Sequence, residues 1–70
     1  MSPEERFAAN LRRYRAAAEL SQEQLAAKSG LHPTEISRLE RAVRDPRLGT
    51  IVRVARGLGV RAEQLVAGIR

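Results

Sequence analysis

The stretch LSQEQLAAKSGLHPTEISRLE, Leu20 to Glu40, sets two helix-forming runs almost end to end. Ser21-Gln22-Glu23-Gln24 has the form of a capping box, in which the serine hydroxyl and the Gln24 amide each serve a backbone N–H of the other. Leu20 before the cap and Leu25 at the fourth helical position form a hydrophobic staple. Gly30 stops this run, because glycine takes the left-handed conformation without steric penalty. Pro33 then opens a second run, its fixed φ suiting a first helical position. Ile36 and Leu39 turn inward there, while Thr34, Glu35, Ser37 and Arg38 stay more exposed. Helices shorter than about 12 residues are marginal alone, so both need tertiary partners. Small Ala26, the turn at Gly30, Leu31 plugging that turn and Ile36 packing toward Leu25 predict two short helices locked at a steep angle. The outer face of the second is left free.

The rest of the chain can supply only a small core. Seventy residues make one domain, 1–70, near the lower limit at which apolar packing alone holds a fold. With no cysteine and a single histidine, His32, there is neither a disulfide framework nor a metal site, and no cofactor is expected. Ser2-Pro3-Glu4-Glu5 predicts a capped helix start, with Ser2 at the N-cap and Glu5 completing a capping box. That helix runs to about Ala18, with Phe7, Leu11, Tyr14 and Ala18 on one face and Arg6, Arg12 and Arg13 mostly facing elsewhere. Arg41 to Pro46 carries mixed charge and ends in Asp45-Pro46, a loop signal. A fourth helix follows from about Leu48 to Leu58, with Leu48, Ile51, Val54, Ala55 and Leu58 on one stripe and Gly59 as its stop. A short fifth, about Ala62 to Ala67, carries Leu65 and Val66, with Ile69 beyond it. No strand pattern, repeat or low-complexity tract is present, so the expected class is all-α with five helices.

Several functions are excluded by what is missing. No apolar run approaches the roughly 20 residues of a membrane span, and the acidic N-terminus is unlike a secretory signal, so a cytoplasmic location is expected. There is no Ser, His and acid set, no metal-ligand cluster and no glycine-rich phosphate loop, which argues against an enzyme or a small-molecule site. Thirteen basic against eight acidic residues leave a net charge of +5, and nearly all the cations are arginine, whose planar fork suits phosphate and guanine edges. The two aromatics, Phe7 and Tyr14, lie on the expected core stripe, leaving no stacking platform for RNA. Double-stranded DNA is the polyanion that suits an exposed helix.

The segments LSQEQLA, ISRLE, DPRLGTIVRVA and LGV, in that order and at this spacing, resemble the phage repressor and Cro type of helix-turn-helix proteins, including small XRE-like bacterial regulators. The resemblance runs from about Leu11 to Leu65. It implies a compact, lambda-repressor-like domain with a supporting helix at about 22–28 and a recognition helix at about 33–41. The function it implies is a sequence-specific transcriptional regulator of double-stranded DNA, a homodimer on a palindromic operator, associated with the nucleoid when bound. Carried onto this chain, Thr34, Glu35 and Arg38 are base-facing. Gln22, Ser37, Arg41, Arg44, Arg47 and Thr50 meet phosphates, and Arg15 pairs with Glu40. A bidentate contact from Arg38 to guanine would discriminate by about 1 to 3 kcal/mol. Leu65, Val66 and Ile69 are candidates for a dimer interface, with completion of the monomer core as the alternative. The competing function is an antitoxin or adaptor that docks a different protein on Leu65 to Ile69.

Three positions depart from that pattern. Pro33 stands where relatives often carry a polar residue and cannot bond a base edge, which shifts readout to Thr34 and Arg38. Ala42 stands where glycine or asparagine is common, implying strain or a different path. Arg47 replaces a small capping residue at a helix start, where the dipole disfavours a cation. His32 is a weaker N-cap than Ser, Thr, Asp or Asn, and capping, phosphate contact and surface packing are all open to it.

Overall fold

A computed structural model describes all 70 residues and places five helices where the patterning puts them: α1 (Pro3–Ala17), α2 (Gln22–Ser29), α3 (Pro33–Glu40), α4 (Leu48–Leu58) and α5 (Ala62–Leu65). Both serine caps form. Ser2 Oγ accepts the Glu5 N–H at 3.1 Å while Glu5 accepts the Ser2 N–H at 2.7 Å, and Ser21 and Gln24 repeat the exchange at 3.0 and 2.8 Å. The Ser2 backbone bond holds the Glu5 carboxyl below the usual carboxylate range.

The first four helices end in the same way. A residue at positive φ (Glu19 at 57°, Gly30 at 69°, Ala42 at 60°, Gly59 at 71°) turns the chain, and the next N–H reaches back five residues to a helical carbonyl. Those bonds are Leu20 to Arg15 at 3.2 Å, Leu31 to Ala26 at 3.0 Å, Val43 to Arg38 at 3.1 Å and Val60 to Ala55 at 3.0 Å. This is the Schellman closure, and Glu19 and Ala42 pay for its left-handed residue with roughly 1–2 kcal/mol each because they carry a Cβ. Leu20, Leu31 and Val60 then pack against the core. Val43 does not; it is 63% exposed.

The core draws on every helix: Phe7 and Leu11, Leu25 and Ala26, Ile36 and Leu39, Val54 and Ala55, and Leu65. α2 crosses α4 so closely at Ser29 that a Cβ on Gly57 would lie 2.4 Å from the Ser29 hydroxyl oxygen. That oxygen is buried and has no hydrogen-bond partner. No helix is long and apolar enough to cross a membrane.

Some expected placements shift. Ala18 lies exposed beyond α1, and Ala8 is buried in its stead. Leu48, expected on the inward stripe of α4, is 76% exposed, because α4 meets the core only from Ile51 onward. α3 ends at Glu40, one residue early, and α5 is a single turn. Leu65, offered above to a dimer interface, is wholly enclosed in the core of its own chain, with Val66 and Ile69 packed partly against it. The Asn10 side chain closes this end of the fold, donating to the carbonyls of Leu65 and Ala67 at 2.9 Å each.

Candidate nucleic-acid interface

One carboxylate ties the two short helices to the long first one. Glu40, the last residue of α3, is 4% exposed, and both its oxygens accept from the Arg15 guanidinium of α1, through Nε and, at 2.9 Å, through Nη2. Arg15 Nη1 also donates to the Leu20 carbonyl at 2.8 Å, so one planar fork braces the chain entering α2 and the end of α3 together. Gln22, at the start of α2, donates its amide to Glu40 at 3.0 Å, and Arg12 donates to the Glu40 backbone carbonyl. The bond to Glu40 raises the Arg15 pKa above an already high value, against the opposing effect of desolvation. With both partners bonded, the buried charge is satisfied and the angle between α2 and α3 is fixed.

The face of α3 turned away from this clamp is polar. Thr34 and Arg38 are exposed, while Glu35 and Ser37 are half-buried. His32 caps the helix, its Nδ1 accepting the Thr34 N–H at 3.1 Å, while Glu35 turns back to accept the His32 N–H at 3.3 Å. Ser37 Oγ accepts from Arg41 Nε at 3.3 Å. A polar groove runs along each side of the helix. The first, against the start of α2, is walled by Arg15, Ser21, Gln22, Glu23, Pro33, Thr34 and Ser37, of which only Pro33 has an apolar side chain. The second, against the start of α4, is walled by Glu35, Leu39, Arg44, Asp45, Pro46, Arg47 and Thr50. The residues expected to meet phosphates thus divide between the two grooves, Gln22 and Ser37 in one and Arg44, Arg47 and Thr50 in the other, with Arg41 exposed just past the helix end.

The charges on this side are unspent. The chain forms two ion pairs, Arg15 with Glu40 and Arg61 with Glu63 at 3.1 Å, so Arg38, Arg41, Arg44 and Arg47 face no bonded carboxylate. Arg47 occupies the N-cap of α4 in extended conformation and makes no capping bond. A cation beside the positive end of a helix dipole is unfavourable, and the first N–H groups of α4 lack a side-chain acceptor. An anion lodged there would relieve both defects.

One of these contacts was not anticipated. Arg12 was read as facing away, yet it stands one turn before Arg15 on the same side of α1, and that spacing was the available signal. Of the three roles left open to His32, capping is the one the structure shows.

Comparison with known proteins agrees with this geometry. The family profile described as helix-turn-helix matches residues 11–65. The control protein C.SmaI of Serratia marcescens is 42% identical over 66 residues, covering 94% of this chain and 79% of that one. The restriction-modification controller protein C.AhdI from Aeromonas hydrophila superposes with a TM-score of 0.86 at 35% identity, over 89% of this chain and 94% of that chain. A hypothetical transcription factor, NHTF, from Neisseria superposes with a TM-score of 0.89 at 37% identity, over 93% of this chain and 75% of that chain.

Proposed function

The chain belongs to the helix-turn-helix family of DNA-binding transcriptional regulators, and from that premise we propose that it reads a specific operator as a homodimer, with α3 in the major groove. Its work is binding rather than catalysis. The observation that carries the proposal is the ridge made by α3: Thr34 and Arg38 stand exposed on its crest, a polar groove lies on each side, and three further unpaired arginines, Arg41, Arg44 and Arg47, surround it. The major groove is about 12 Å wide and admits one helix, with a row of phosphates on either flank. In this reading Thr34 and Arg38 meet base edges. Glu35, held back toward His32, excludes phosphate from the middle of the face and accepts from cytosine where one is offered. Ser37, Arg41, Arg44, Arg47 and Thr50 take phosphates. Gln22 approaches a phosphate with its backbone N–H, because its amide is occupied by Glu40.

The size of the domain supports a dimer. Its longest extent is 29 Å, so one copy covers a single half-site, and two side by side match half-sites about 34 to 36 Å apart. Leu48, exposed at the start of α4, and the partly buried Val66 and Ile69 are the apolar side chains available between copies. The likeness to C.SmaI and C.AhdI favours a small cytoplasmic controller, on the nucleoid when bound, that acts through its own concentration. In-vitro selection from a random duplex library at near-physiological salt tests this reading. An inverted repeat with half-sites one helical turn apart is expected; a bound pool without sequence enrichment would overturn it.

A further inference from the structure

His32 occupies the mouth of α3 with a side chain that has two working ends. Its Nδ1 accepts the Thr34 N–H at 3.1 Å. A ring nitrogen that accepts carries no proton, so in the neutral ring the proton sits on Nε2. The residue is exposed, and Nε2 finds no acceptor anywhere in the chain. Serine, threonine, aspartate or asparagine at an N-cap reaches outward with a short side chain whose capping atom is already at its tip. Imidazole differs: its two nitrogens lie on opposite sides of a rigid ring, and capping with one aims the other away from the helix.

The neighbours leave that donor alone at the helix start. Pro33 has no N–H and no polar side chain. The Thr34 N–H is taken by His32, and the Glu35 carboxylate is bonded to the His32 backbone N–H at 3.3 Å. N-terminal residues of a recognition helix are the ones that approach base edges, where purine N7, guanine O6 and thymine O4 are acceptors without a donor.

We infer that His32 is a specificity-determining residue, whose Nε2–H donates to a base-edge acceptor in the major groove while its Nδ1 holds the helix cap. The inference rests on the reading of α3 as the base-facing helix. The cap fixes the tautomer, and the tautomer fixes what the residue can recognise: a purine N7, guanine O6 or thymine O4, and not the amino group of cytosine.

The test is selection from the same random duplex library with the unaltered protein, His32→Ser and Arg38→Ala, alongside thermal unfolding of each. Serine keeps a capping oxygen and lacks the reach, so His32→Ser is expected to melt at or above the unaltered temperature. Discrimination at one base position should fall about two- to tenfold, the size of one neutral hydrogen bond. The salt dependence should stay the same, since a neutral donor releases no counterion. Unchanged preference at every position would overturn the assignment. So would an equal loss on all sequences, which identifies a phosphate contact. If Arg38→Ala alters the preferred sequence and His32→Ser does not, only the role of His32 falls; if neither does, the base-facing reading of α3 falls with it.

Discussion

Helix α2 and the junction from Arg41 to Leu48 are the same length, eight residues each, and follow local rules very differently. α2 begins at a serine in a complete capping box, ends at a glycine with φ of 69°, and tucks Leu31 against the core just beyond. The junction turns on an alanine at φ 60°, leaves Val43 63% exposed, sets an arginine at an uncapped helix start and exposes Leu48 beside it. It also gathers Arg41, Arg44 and Arg47 with no ion-pair partner. Natural sequences break local rules mainly where function requires it, and the stability comes from elsewhere. Here the well-formed segment holds the fold, and the poorly formed one faces the outside.

The largest break in this comparison comes from the clamp behind it. Arg15→Ala leaves the buried Glu40 carboxylate with Gln22 as its remaining side-chain partner, and calorimetry should show a loss of about 3 kcal/mol. That corresponds to a fall in Tm of roughly 15 °C for a domain of this size. Next, Gly30→Ala places a Cβ on a left-handed residue in the well-formed segment and should cost about 1–2 kcal/mol in denaturant unfolding. The mirror change in the junction, Ala42→Gly, removes that same penalty and should raise stability by about 1 kcal/mol in the same assay. Arg47→Ser supplies a cap to α4 and removes a cation from its positive end, for a gain of about 0.5–1 kcal/mol in the free protein. A loss of stability in either junction variant would mean that those residues hold the fold after all.

The capped ends were legible in the sequence because their chemistry is local. Ser2, Ser21, Gly30 and Gly59 each act on residues within five positions, and the structure shows every one in its expected role. Leu48 was misplaced because periodicity shows which residues share a face of α4 but not where along its length that face meets the core. Leu65 was ambiguous for a related reason: an apolar position announces that it will be covered, not by which chain. The bonds from Arg12 to Glu40 and from Asn10 to Leu65 join residues 28 and 55 positions apart, beyond any local pattern. That Thr34 and Arg38 face outward was readable from helix position; that Gln22 turns to Glu40 and Glu35 back to the His32 N–H, which side-chain orientation decides, was not.

We propose that the junction's departures serve a phosphate backbone. The measurement that tests it most directly is the affinity of the unaltered protein and Arg47→Ser for one selected duplex across a range of salt concentrations. A lost phosphate contact should weaken binding to specific and non-specific duplexes alike and lower the slope of log affinity against log salt by about one. An Arg47→Ser protein that binds with unchanged affinity and slope would contradict the claim.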